Sequence, residues 1–149
     1  MFQAIIATHN SPARILIRLM VGLVFLSEGF LKSIFPETMG SGLFAKLGFE
    51  DPDFLASLVG YFEITCSMLI LMGLLCRLAT IPLFIIICTA IYTTKLPLMA
   101  EKGFWMAIHE TRTDFCMVIG LIYLFIYGAG RWSMDRLMTQ KNQSLFDPV

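Results

Sequence analysis

The 149-residue chain is 57% hydrophobic and only 15% charged, and its mean hydropathy is +0.76. A soluble domain carries about 45–50% apolar and about 25% charged residues, so this composition excludes a disordered chain and an ordinary soluble enzyme. Eleven basic and eleven acidic side chains cancel to zero formal charge, which leaves no electrostatic footprint for nucleic acid.

The composition reads as an all-α integral membrane protein. A bilayer core of about 30 Å takes roughly 20 apolar helical residues to cross. Helices are expected at about 13–31, 54–75, 78–96 and 109–128, a four-helix bundle in one domain over 1–149 with a tail at 129–149. The first begins at Arg14 and Arg18 and ends in Ser27-Glu28-Gly29-Phe30, without a small-x-small cleavage site. It therefore reads as a retained helix, not a removed signal. In the third, Pro82 falls in the first turn, where a missing N–H costs little. The fourth has only 13 uninterrupted apolar residues, Phe115 to Tyr127, which rise roughly 20 Å. It must draw His109-Glu110-Thr111-Arg112-Thr113-Asp114 into the helix.

An even number of spans puts both termini on one side. Arg14, Arg18, Arg77, Arg131, Arg136 and Lys141 share that side, against Lys32, Lys46, Lys95, Lys102 and Arg112 on the other. The excess in short segments places both termini in the cytoplasm. Trp132 suits an interfacial anchor. The loops at about 32–53 and 97–110 then face outward, and the first is partly structured. Its segment 40–49, bracketed by glycines and rich in Leu and Phe, either lies on the membrane or caps the bundle mouth, the latter preferred.

Charged residues inside apolar helices are functional candidates by default. Glu63 is the clearest, roughly 13 Å from the start of its helix. Ala56, Gly60, Glu63 and Ser67 form one stripe, and small residues there admit a close neighbour. Arg18, Gly22, Phe25, Gly29 and Lys32 form a matching stripe on the first helix. Glu28 precedes Lys32 by four residues, the spacing of an i,i+4 ion pair. With antiparallel neighbours, Glu63, Glu28, Lys32, His109, Glu110 and Arg112 converge below the outer mouth. Each also has a plainer reading: an interfacial ion pair for Glu28 and Lys32, a solvated loop for 109–114, a structural hydrogen bond for Glu63. No Glu-x-x-His pairs are present, so no metal site is expected. Of the cysteines, Cys66 and Cys116 are the pair that could meet; otherwise all four are small buried hydrophobes.

The run Arg18-x3-Gly22-x2-Phe25-x2-Glu28-Gly29-x2-Lys32 resembles the first helix of the DoxX family. So do Gly60-x2-Glu63, Leu71-Met72-Gly73-Leu74-x2-Arg77, and the closing Gly128-Ala129-Gly130-Arg131-Trp132-Ser133-Met134-Asp135-Arg136. Glu28 stands where that family often has histidine, and Ala129 where it often has proline. The resemblance implies a multi-pass protein of the bacterial inner membrane, linked to quinone-dependent oxidation of small sulfur compounds beside a membrane protein partner or as a homo-oligomer. Three functions follow as expectations. In a redox subunit, a quinone would hydrogen-bond to Glu63, His109 or Glu110 would exchange protons, and Lys32 and Arg112 would hold an anion. A scaffold or assembly partner would need no chemistry. A small-solute transporter would require oligomerisation.

Overall fold

The computed structural model describes residues 14–130 and 132–138, and apart from Glu101 their side chains. Among them every regular element is helical. Helix α1 runs Arg14–Ile34; α2 (Pro36–Met39) and α3 (Ser41–Lys46) are short; α4 runs Pro52–Met72. Helix α5 (Cys76–Ala90) continues through a π-helical turn, Ile91–Lys95, into α6, Leu96–Lys102. Helix α7 spans Phe104–Tyr127, and a last helical turn, α8, covers 134–138.

The boundaries have local causes. Pro52 occupies the first turn of α4, where its missing N–H is no loss. That helix ends at Met72, short of the expected 75. Gly73 takes φ +70°, and Leu74 N–H returns to Leu69 O at 2.9 Å, a Schellman closure. A Cβ on Gly73 would stand 2.6 Å from Ser133 Cβ. The third helix is not a plain α-helix to 96. Pro97 would clash with the carbonyl four residues back, and the wider π turn before it accommodates the ring. Helix α7 starts at Phe104, not 109, because Gly103 at φ +84° restarts the chain. Its 24 residues rise about 36 Å.

The four long helices form a ring in which α1 packs most extensively on α4 and α5 on α7, closed by α4–α5 and α1–α7 contacts. Val21, Phe25, Ile70, Leu83, Leu121 and Leu124 fill its centre. Large apolar side chains also cover the outside, among them Leu23, Phe30, Leu78, Ile85, Phe115 and Phe125. That is more apolar surface than a water-soluble monomer tolerates. Helix α4 and the run Cys76–Ala100 are long and apolar enough to cross a membrane. The other two are comparable in length but interrupted by charge: Arg14, Arg18, Glu28 and Lys32 in α1, and Glu110, Arg112 and Asp114 in α7.

One end of the ring is tied by Arg18, whose side chain is 3% exposed. Its guanidinium donates to Ile70 O at 2.9 Å and Ala129 O at 3.2 Å, and to the carbonyls of Leu71 and Trp132. Beside it the Asp135 carboxylate accepts from Leu75 N–H at 2.7 Å and Cys76 N–H at 3.3 Å, while Asp135 N–H donates to Gly73 O at 3.0 Å. Leu75 is held there at φ +48°. Arg14 donates to Tyr127 O at 3.0 Å and lies over the Tyr127 ring. Residues 128–130 and 132–138 are therefore not a tail but a folded return onto the α4–α5 turn. Residues 1–13, Arg131 and 139–149 lie outside the described residues, and with them Lys141 and the rest of the expected tail.

Candidate functional site

The opposite end of the ring holds the polar groups. Gly29 of α1 meets Gly60 of α4 so closely that a Cβ on Gly29 would lie 2.7 Å from Ile64 Cγ1 and 3.1 Å from Gly60 O. This approach brings Lys32, one turn further along α1, against α4. Lys32 Nζ donates to Glu63 Oε2 at 2.7 Å and Oε1 at 3.0 Å. The side chains are 12% and 4% exposed respectively. Glu28, the expected partner by spacing, is only 3.8 Å away and half exposed. Its i,i+4 geometry holds, but the cross-helix carboxylate is nearer and supplies both oxygens. A buried pair of this kind depends on both members, because removing one strands the other charge.

The pair borders a cavity of about 480 Å³, within the range of small-molecule sites. Phe25 of α1, Val59 of α4, Ile86 of α5 and Met117 of α7 form apolar walls. Leu43 and Phe44 of α3, with Leu47 and Phe49 just after it, also line the cavity, and α3 packs on α4. The π turn lines the cavity with Thr93, Thr94 and Lys95, across from Asp114 of α7. Lys95 Nζ stands 3.7 Å from Asp114 Oδ2. The Thr93 and Thr94 hydroxyls donate back to Thr89 O at 2.9 Å and Ala90 O at 2.6 Å, so their oxygens can still accept. A second cavity of about 210 Å³ lies on the other flank of Lys32, lined by Ser33, Ser41, Asp53 and Ser57. Lys32 borders both.

Of the six expected site residues, Glu63, Glu28 and Lys32 meet at the cavity. His109, Glu110 and Arg112 do not. The cavity face of α7 is Thr113, Asp114 and Met117. His109 and Glu110 sit one turn beyond it, and Arg112 leaves that face. All three are exposed, with Arg112 Nη1 2.8 Å from His109 Nε2. Two residues join the site instead: Asp114, readable as the i+4 neighbour of Glu110, and Lys95, whose position depends on the π turn. The four cysteines are free thiols; Cys66 is buried and Cys116 exposed. Among the described residues no three His, Cys, Asp or Glu side chains gather as metal ligands would. At the tied end, burial pushes the Asp135 carboxyl above the usual range, against the lowering effect of its two backbone donors and of Arg18 and Arg77.

Residues 13–96 match the family model described as DoxX. The chain is 44% identical over 139 residues to an uncharacterized membrane protein of Mycobacterium tuberculosis, an alignment that covers 89% of this chain and 85% of that one. No solved structure matches the sequence.

Proposed function

The chain belongs to the DoxX family of membrane proteins, and from that premise we propose that it is a four-helix inner-membrane subunit of a quinone-linked redox system. The observation that carries the reading is the cavity of about 480 Å³, apolar on most of its walls and bordered by a buried Lys32–Glu63 pair. A quinone head group needs flat apolar walls and a donor for its carbonyl oxygens. Phe25, Ile86 and Met117 offer the first and Lys32 Nζ the second. Such a group, when bound, supplies paired electron and proton transfer.

The protein's own part is to bind, orient and exchange protons. Lys32 uses two of its three N–H bonds on Glu63 and keeps one for a ring oxygen. Glu63 fixes the ammonium in position. Glu28 is half exposed and 3.8 Å from Lys32 Nζ, so it can return a proton from the aqueous side. In this reading both termini are cytoplasmic and the cavity opens on the outer half of the bilayer, beside a membrane protein partner.

The test is to purify the protein in mild detergent and quantify co-purifying quinone by mass spectrometry, beside Glu63→Gln. Near-stoichiometric quinone that is lost from a folded Glu63→Gln variant is the expected result. Absence of quinone from both samples would refute the reading and leave a scaffold, in which Lys32 and Glu63 serve only each other.

A further inference from the structure

Two of the α7 residues that the cavity leaves out share an outward face. Trp105, His109, Arg112 and Cys116 follow at steps of four, three and four. All four are exposed, Trp105 at 81%. Ile108, Phe115 and Ile119 flank them and are exposed as well. Arg112 Nη1 lies 2.8 Å from His109 Nε2, so the side chain runs back along α7 toward Trp105. Glu110 stands across the helix, two residues from Arg112. The ion pairs among the described residues belong to Lys32 and Lys95, so none of them balances the Arg112 guanidinium.

Helical rise gives this face a depth. Arg77 donates to Ile126 O at 2.9 Å, Arg14 donates to Tyr127 O, and Trp132 is exposed. Together these residues mark the tied end as a membrane boundary. From Tyr127, α7 rises about 22 Å to Arg112, about 27 Å to His109 and about 33 Å to Trp105. Hydrocarbon about 30 Å thick therefore ends near Trp105, with the Arg112 backbone inside it. A cation facing hydrocarbon is costly. The course of the Arg112 side chain relieves that cost by carrying the guanidinium toward the boundary, as a snorkelling arginine does. The anions found at that level of a bilayer are lipid phosphates.

We infer that the outward face of α7 is a phospholipid site. Arg112 grips one phosphodiester with the N–H groups not turned to His109, since its planar fork matches two phosphate oxygens. Trp105 packs at the interface, and Ile108, Phe115 and Ile119 take the acyl chains. The inference uses the bilayer alone and is independent of what the cavity holds.

The experiment is native mass spectrometry of the full chain, stripped of lipid in a nonionic detergent and titrated with three probes. These are a phosphatidylglycerol, the diacylglycerol with the same chains, and inorganic phosphate. Wild-type protein is expected to retain one phosphatidylglycerol per chain and neither of the other probes. Arg112→Gln should weaken that binding about fivefold, the worth of one basic side chain near a lipid surface. Lys46→Gln, at an exposed lysine of α3, should leave it within about twofold. The wild-type comparison of the three probes stands alone if a variant fails to fold. Equal retention of diacylglycerol would overturn the phosphate contact, and retention of inorganic phosphate alone would overturn a lipid as its source. Equal weakening by Lys46→Gln would reduce the attraction to net charge, and dimers abolished by Arg112→Gln would give the face to a second copy; either overturns the site.

Discussion

The Lys32–Glu63 pair makes a quantitative prediction through a double-mutant cycle. At 2.7 Å and an effective dielectric of 20, the Coulomb attraction is about 6 kcal/mol. Desolvation of both groups consumes much of this, so the pair's net worth is small while the cost of breaking it is large. Glu63→Gln strands a Lys32 ammonium that is 12% exposed, with only Glu28 at 3.8 Å to balance it. A penalty of about 3–5 kcal/mol applies to such a charge, and the nearby Glu28 places this one at about 3. Lys32→Met should cost about as much, by stranding Glu63. Lys32→Met combined with Glu63→Met replaces both by apolar groups and should return stability to within about 1 kcal/mol of wild type. Denaturant titration in mixed micelles, followed by circular dichroism, gives the four stabilities. Single variants costing under about 1 kcal/mol, or a double variant equal to the sum of the singles, would refute the buried pair.

Three further outcomes follow from the packing. Gly29→Val should part α1 from α4, since even its Cβ would stand 2.7 Å from Ile64 Cγ1; overpacking of this kind costs about 1–3 kcal/mol, read as a lowered melting temperature in detergent. Arg18→Lys keeps the charge but gives up the planar fork that reaches four carbonyls, so about 3 kcal/mol should be lost from the same melt, from two hydrogen bonds to a charged donor. Asp135 has a folded pKa raised above its ordinary 3.8. Between those values the folded state holds a proton that the unfolded state has released, so this contribution to stability is full below 3.8 and is lost as pH rises through the folded pKa. Asp135→Asn should remove that slope from the pH dependence of stability, and an unchanged slope would contradict it.

The inward stripes of α1 and α4 were legible because helical periodicity alone specifies them. Arg18, Gly22, Phe25 and Gly29 are all buried, as are Ala56, Gly60, Glu63 and Ser67. Spacing along one helix also identified Glu28 as a neighbour of Lys32. It carried no information about Glu63, which is 31 residues away and becomes the closer partner only through the Gly29–Gly60 approach. The site's second half was hidden by a change of helical phase. Continued α-helix and π turn place Lys95 differently, and Pro97 signals the irregularity without fixing its form. The apolar run alone does not mark the start of α7 at Phe104, and a start at 109 puts His109, Glu110 and Arg112 at the level of the bundle that Thr113, Asp114 and Met117 occupy. The tied end was hidden for another reason: Arg18 and Asp135 bind backbone groups, and a carbonyl or N–H has no side-chain signature to read.

The Arg18 tie has a consequence for biosynthesis. Its carbonyl partners come from two places in the chain, Ile70 and Leu71 near the middle and Ala129 and Trp132 close to the end. A nascent chain that has exposed α1 and α4 can satisfy half of the guanidinium, while the other half waits until α7 and the turn after it have left the ribosome. A partly bonded charge inside an apolar helix is costly throughout that interval. Completion of the last dozen described residues thus releases the first helix from its incomplete state, and a chain stopped short of residue 129 would carry that unmet charge as a mark distinguishing it from finished protein.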